Sequence, residues 1–375
     1  MRHLSILHVI DSLDPFGGAS VACVRLAASL ATRPGFSVAI ASRKPPQAWA
    51  AGAFDHCTLH LWDDEADPPK LDAAIDAADV VHLHGVWDRV LRLAATACTA
   101  RGKPYAVTPH GMLADWPMSQ KPLKKRFYLH TFGRRLLRDA HAIHFTAEQE
   151  RRQSERRFGH GRVWVAPLIN DLTTDLAASD YLPPRSPPVD PAQRPITLFL
   201  SRLHRKKGPD RAINMLAYLP GVELWIAGRD NPVYRAELEH LAQGLGVDDR
   251  IRWVGEVDEA EKRQLYQTAH ALVLPTHQEN FGQVLVEAMA NGLPVITTRN
   301  VDIWREIESG GAVIADPEAS AFAHAVKALF EDPVHCAARS TRGRAFVRQW
   351  LDPEAGLQAY RPWYESLIRT SSEIT

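Results

Sequence analysis

Strand-length apolar runs recur along this chain in two series, and that alternation limits the folds open to it. The first series is Leu4–Ile10, Phe36–Ala41, Asp79–His84, Tyr105–Thr108, His141–Thr146 and Val163–Pro167. The second is Ile196–Ser201, Val222–Ala227, Ile251–Val254, Ala271–Pro275, Pro294–Thr298 and Ala312–Ile314. Helix-like stretches fill the intervals, as in βα units, and the near-continuous apolar character of the runs suits parallel strands buried on both faces. Between the two series lies YLPPRSPPVDPAQRP, residues 181–195, whose prolines can continue neither a helix nor a central strand; it reads as a linker. The expected fold is α/β, with parallel-sheet domains over residues 1–180 and 196–350. Open sheets of this kind bind ligands beyond the carboxyl ends of their strands, so two such halves predict a cleft between them. A last helix is expected from Asp352, which suits a cap, to Ile368, with Pro353 in its first turn and Leu357, Tyr360, Tyr364 and Leu367 sharing a face.

A length of 375 residues leaves room for two domains of ordinary size. The formal charge of zero gives no reason to expect a nucleic-acid partner. Cys23, Cys57, Cys98 and Cys336 are scattered without a C-x-x-C pair, which argues for reduced thiols and against a disulfide framework or a zinc site. Leu4–Ile10 is too short for a signal peptide, and no apolar run approaches the length of a membrane span. A cytoplasmic protein, or one resting on the inner face of a membrane, is the expectation.

The stretch richest in chemistry is Glu279–Pro294, ENFGQVLVEAMANGLP. It follows the run Ala271–Pro275 and opens into a helix, with Glu279 on the preceding loop and Glu287 in about the second turn. The amides of Phe281, Gly282 and Gln283 then emerge from a helix N-terminus, where N–H groups lack internal partners and attract phosphate. Gly282, without a side chain, lets a diphosphate approach the backbone. Eight helical residues span about 12 Å, roughly the length of a nucleotide sugar from ribose to hexose. One carboxylate would hold ribose hydroxyls and the other sugar hydroxyls. Two glutamates near a helix start are also ordinary favourable charges on its dipole, and that plainer reading stands beside the first.

Glu279-Asn280-Phe281-Gly282, Glu287-Ala288-Met289-Ala290 and Gly292-Leu293-Pro294-Val295-Ile296 together resemble the GT4 (group 1) family of retaining glycosyltransferases. The resemblance is strong from Arg202 to Asp316, fair at Gly17-Gly18 and around His110, and weak from Ala41 to Asp79. It implies the GT-B fold: two Rossmann-like domains facing across a cleft, the first for the acceptor and the second for the nucleotide sugar. It also implies that the terminal helix, within residues 351–375, crosses back onto the first domain. Glu287 would bind ribose and Glu279 the sugar hydroxyls, with Asn280, Phe281, Gly282, Gln283 and Val284 along the donor. One departure is Pro167-Leu168-Ile169-Asn170-Asp171, where relatives often carry Pro-Asn-Gly; it leaves the shape of the hinge open.

Other strand ends add candidates. Gly17-Gly18 ends the first strand's turn and precedes the apolar helix Ala19–Ala31. Paired glycines there allow close backbone approach to a ligand or simply make a tight turn. The pattern is not G-x-G-x-x-G, which weakens a dehydrogenase reading, and it resembles the family's glycine loop against the donor diphosphate. Ser201–Gly208 carries Arg202, Arg205, Lys206 and Lys207 at another strand end. Fixed cations stabilise a departing diphosphate without reorganising; the family's Arg and Lys match Arg202 and Lys207, with Lys206 as the second choice to Lys207. His110, in TPHGM beyond a strand end, matches a histidine that several relatives place near the reacting sugar. Gly228 and Val257 end further strands of the second half and are placed to line the nucleotide pocket. His82 and His84 share a strand face and could form half of a metal site, but no third ligand stands at motif spacing, which favours a structural role.

No Asp-x-Asp occurs anywhere, so a metal-independent transfer with no cofactor is expected. The basic stretch 121–138, KPLKKRFYLHTFGRRLLR, puts Lys121, Lys124, Lys125, Arg135 and Arg138 with Tyr128 on one face and Leu123, Phe127 and Leu137 broadly opposite. It reads either as a solvated helix, which Gly133 would break, or as a peripheral contact with anionic lipid carrying a polyprenyl-linked acceptor. A saccharide or lipid-linked saccharide acceptor in polysaccharide or lipopolysaccharide assembly is the family's commonest role. Two alternatives stay open: a sugar-nucleotide epimerase of the same architecture, and a catalytically silent partner subunit.

Overall fold

The computed structural model describes residues 2–15, 17–46, 49, 52–61, 68–157, 162–169 and 193–372. Most of the proline-rich stretch, 181–192, and Asn170-Asp171 of the hinge turn lie outside the described residues. The chain divides into two compact units, Met1–Asp171 with Leu351–Thr375, and Leu172–Trp350.

In the first unit seven strands pair in the order β3-β2-β1-β4-β5-β6-β7, all parallel. They are β1 (Leu4–Ser12), β2 (Phe36–Lys44), β3 (Thr58–Leu61), β4 (Val80–His84), β5 (Tyr105–Thr108), β6 (Ala142–Phe145) and β7 (Val163–Val165). Every run of the first series is a strand. β3 was not anticipated, because TLHL is short, half-exposed and no more apolar than a loop. The second unit holds β8 (Ile196–Leu200), β9 (Glu223–Ala227), β10 (Ile251–Gly255), β11 (Ala271–Leu274), β12 (Val295–Thr297) and β13 (Val313–Ile314), in the parallel order β10-β9-β8-β11-β12-β13. β4, β5, β6, β11 and β12 are buried along their whole length, as strands with helices on both faces must be.

Strand order reverses between β1 and β4 in one sheet and between β8 and β11 in the other. The connections leaving those strands part to opposite faces, which opens a crevice at each switch point. The terminal helix Pro353–Ser372 packs on the first unit: Leu357, Tyr360, Trp363, Tyr364 and Leu367 join Leu4, Ile6, Val24 and Ile40 in one buried cluster. The basic stretch forms two helices, Pro122–Thr131 and Gly133–Arg138, parted at Phe132; Gly133 opens the second, and a Cβ there would lie 2.9 Å from Tyr128 Cε1. The expected apolar face splits accordingly: Leu123 and Phe127 are exposed, whereas Leu137 is buried. Lys125 turns inward, donating to Pro117 O at 2.6 Å and lying over the Trp87 ring. Among the described residues no helix is long and apolar enough to cross a membrane.

Candidate functional site

In the second unit the loops leaving β8 and β11 meet at the switch point. Lys206 O accepts from His277 N and from Thr276 Oγ1, both at 2.8 Å, and ties them together. The approach is close enough that Gly208, at φ +74°, has room for no side chain; a Cβ would stand 2.3 Å from Pro275 O. That turn sends Lys207 toward the β11 loop, where its Nζ pairs with Glu279 Oε2. Both side chains are 14% exposed, so the pair is partly sheltered yet reachable. Burial pushes the Glu279 carboxyl up, but the charges of Lys207 and Lys206 and the hydrogen bonds from Lys207 and Asn280 N outweigh it and hold it below its ordinary range. Arg202, exposed, has no side-chain hydrogen bond or ion pair among the described residues.

The helix Gln283–Ala290 starts from Gly282, which sits at φ +67° and offers no side-chain cap. Leu285 N turns back to Gly282 O at 2.8 Å, which leaves the N–H groups of Gln283 and Val284 as the helix-start donors without a side-chain cap among the described residues. Only Gln283 onward is helical, so the separation of Glu279 from Glu287 is half loop, and a continuous 12 Å helical rise does not describe it. Glu287 is 3% exposed; Tyr266 Oη donates to its Oε2 at 3.1 Å and Lys262 Nζ lies 3.1 Å away. Lys262 and Tyr266 are four apart on the helix Glu259–Thr268, one face of which thus holds the carboxylate. That spacing was the available signal for these two residues.

Around this centre the remaining candidates sort by how they are used. Asn280 turns its amide inward to Asp302 Oδ2 at 3.2 Å, and Phe281 is buried against Trp350. Val284 O lies 3.5 Å from Tyr266 Oη. Gln283 Nε2 and both amide atoms of the unanticipated Gln278 are buried without a hydrogen-bond partner among the described residues, polar groups that a ligand would satisfy. Gly228, at φ +127°, is required by the fold itself: a Cβ would stand 2.2 Å from Ser201 O. Val257 follows β10, half-buried.

In the first unit Gly17 caps the helix Gly18–Ala31, and a Cβ there would press on Ser20 Oγ at 3.1 Å and Asp14 O at 3.2 Å. Gly18 differs: nothing lies within 4 Å of where its Cβ would be, so the described protein gives no steric reason for glycine. His110, at φ +51°, is held in a left-handed turn rare for a side-chain-bearing residue. Buried Glu150, absent from the sequence expectations, keeps it there by accepting from Gly111 N at 2.6 Å, from Thr146 N at 2.8 Å and from Thr146 Oγ1 at 2.9 Å.

His82 and His84 do have a third imidazole beside them. Parallel pairing sets His8 opposite His82, and their ligand atoms with His84 fall within 4.8 Å. The expectation of no third ligand is corrected on that point, since β-sheet register supplies what sequence spacing hid. The nitrogens fit a metal poorly, because all but His8 Nε2 are engaged in hydrogen bonds to one another, to Thr108, to Tyr364 or to His110. Elsewhere in this unit a cavity of about 970 Å³ is lined by Arg126, Arg134, Arg138, Arg156 and Arg157 with Met118, Leu129 and Leu137. Its one carboxylate, Asp115, pairs with Arg157.

Residues 185–346 match the family described as Glycosyl transferases group 1, and residues 17–168 match the Glycosyl transferase 4-like domain. The lipopolysaccharide core biosynthesis mannosyltransferase LpsB of Rhizobium meliloti (strain 1021) is 32% identical over 193 residues, which is 48% of this chain and 54% of that protein. The chain spans about half the length, or less, of the curated relatives it matches. Sucrose-phosphate synthase from Thermosynechococcus elongatus superposes with a TM-score of 0.77 at 22% identity, covering 98% of this chain and 100% of that one. HepE of Anabaena, in complex with UDP-glucose, superposes with a TM-score of 0.76 at 20% identity, covering 97% and 100%. Those two structures share its fold.

Proposed function

We propose, for a chain that belongs to the group 1 (GT4) glycosyltransferases and has their GT-B fold, that it moves a hexose-type sugar from a UDP- or GDP-sugar to a saccharide or lipid-linked saccharide, with retention at the anomeric carbon. The observation that carries this reading is the Lys207–Glu279 pair beside an uncapped helix start at the β8/β11 switch point. The diphosphate would lie on the helix N-terminus with Arg202 and Lys207 as counter-charge, Glu279 would hold sugar hydroxyls, and Glu287 would hold ribose. Donor atoms would therefore belong to the second unit and acceptor atoms to the first. In a front-face transfer the bond from the anomeric carbon to the phosphate oxygen breaks as the acceptor oxygen bonds on the same face. The acceptor's proton passes to the departing phosphate oxygen, so no side chain need become a covalent nucleophile.

With Lys207 held at the switch point, Arg202 on the same loop and a helix end beside them, the diphosphate would need no metal, and the chain lacks Asp-x-Asp. The arginine-lined cavity near exposed Leu123 and Phe127 supports an anionic, lipid-linked acceptor met at a membrane surface in polysaccharide or lipopolysaccharide assembly.

Thermal-shift titration with UDP, GDP and their common sugars in EDTA tests the donor site. One nucleotide series should raise the melting temperature, and Glu287→Gln should shrink that increment. No shift with any nucleotide would overturn the donor assignment. A shift indifferent to Glu287→Gln would remove only the ribose contact, and one that appears only with added Mn²⁺ would overturn metal independence.

A further inference from the structure

Five histidines of the first unit, His8, His82, His84, His110 and His144, cluster beneath the switch between β1 and β4, and their hydrogen bonds form two chains. In one, the ends assign every proton. Ala166 O can only accept, so His144 Nε2 donates to it at 3.0 Å. A neutral imidazole has one N–H, which leaves His144 Nδ1 to accept from Thr108 Oγ1 at 3.0 Å. Thr108 Oγ1 accepts from His82 Nε2 at 2.6 Å, and His82 Nδ1 accepts from Tyr364 Oη at 2.9 Å. Burial keeps these rings neutral, bringing His144 down to about 4 and His82 well below its ordinary value.

The second chain runs from His8 through His84 to His110, just past the end of β5. His8 Nδ1 lies 2.9 Å from His84 Nε2, and His84 Nδ1 lies 3.0 Å from His110 Nε2, with the last two rings stacked. These rings are neutral too: burial lowers His8 and His110 to about 3 and His84 well below its ordinary value. Only two proton arrangements satisfy both bonds. If His110 Nε2 donates, His84 Nε2 donates in turn, and His8 is left with an N–H at Nε2, a buried atom with no hydrogen-bond partner among the described residues. If the order is reversed, His8 Nε2 keeps a bare lone pair and the free proton sits on His110 Nδ1, which has no partner among the described residues but belongs to a half-buried ring and is not one of the fully buried unpartnered atoms. An orphaned buried N–H is rarer than an under-used acceptor.

We infer that His8 and His84 are positioning residues that fix His110 in the tautomer with its proton on Nδ1, so that it donates a hydrogen bond at the site. The inference rests on the reading that His110 faces the bound sugar. It gives His110 a definite duty there: it donates to a sugar or phosphoryl oxygen and does not serve as the base that takes the acceptor's proton. Glu150 and the left-handed turn hold the backbone; the imidazole chain sets the proton.

Nitrogen-15 NMR of the full chain labelled at histidine reads the tautomer directly. At pH 7 His110 should show a protonated Nδ1 and a bare Nε2; the opposite tautomer, or an imidazolium, would overturn the inference. In His84→Phe the two nitrogens should move toward the averaged positions of an untethered imidazole, and transfer should fall about tenfold in kcat, the size of one neutral hydrogen bond. His84→Gln serves if the phenylalanine variant does not fold. Unchanged His110 resonances in a folded variant would also overturn the inference. The two failures are separable: His110→Ala with undiminished kcat would sink the placement of His110 against the sugar while leaving the measured tautomer standing.

Discussion

At the scale of single residues the informative pair is Lys207 with Glu279. Its carboxyl is held below the ordinary range by neighbouring positive charge against the pull of burial. A depressed carboxyl contributes stability that is complete above the ordinary carboxylate range and is lost as pH falls through the folded-state value. Lys207→Met should therefore destabilise the second unit at pH 7 by about 3 kcal/mol, because it leaves a sheltered carboxylate with only Lys206's charge and the Asn280 N–H beside it. Lys207→Met combined with Glu279→Gln should cost less than that single change. Urea melts of the three variants at pH 7 check the cycle; additive losses would mean the pair is uncoupled. Glu279 and Lys207 were legible because each stands in a string of recognisable neighbours. Glu150 was not: its partner Gly111 is 39 positions away, and one of two glutamates on the charged helix Glu148–Ser154 looks like solvated surface.

Elements show which glycines the fold itself requires and which it does not. Gly228 and Gly208 let the ends of β9 and β8 approach neighbouring carbonyls, and both have positive φ. Gly228→Ala should cost at least about 2 kcal/mol from the backbone conformation and the clash together. Gly18 opens the helix Gly18–Ala31 with an ordinary φ and open space around it. Gly18→Ala should thus leave stability unchanged or raise it by about 0.5 kcal/mol. If a diphosphate packs there, the same change should raise the donor KM at least tenfold. A stable variant with unaltered kinetics would show that Gly17-Gly18 is merely a turn. The strands that carry these loops were visible as apolar runs, since strands buried on both faces leave an unbroken signal. Edge strand β3 was not, because a half-exposed TLHL has neither an apolar run nor a clear alternation. The pairing of His8 with His82 was also invisible, because strand register is a property of the folded sheet and has no spacing in the chain.

For the molecule as a whole, the histidine cluster makes the two units unequal toward acid. Burial, joined by neighbouring imidazoles at His82, His84 and His110, holds these rings neutral in the folded state: His8 and His110 titrate near 3 and His144 near 4. In the unfolded chain they titrate near 6.5, so between those limits the unfolded state binds more protons. The sign follows: their contribution to stability is complete above about pH 6.5 and erodes as pH falls toward 4 and then 3. Each ring erodes by about 1.4 kcal/mol per pH unit. The two fully buried rings with those values, His8 and His144, together amount to about 4 kcal/mol at pH 5, a large share of the stability of a domain. The first unit should accordingly open well before its carboxylates are protonated, and the terminal helix, bound through Tyr364 to His82, should be released with it. Hydrogen exchange read segment by segment from pH 7.5 to 5 tests this. After correction for the intrinsic rate, β1, β4 and residues 353–369 should lose protection steeply while β8, β11 and β12 keep theirs. Equal loss in both units would mean that the imidazoles are solvated and titrate normally, and with that the neutral chain leading to His110 would fall.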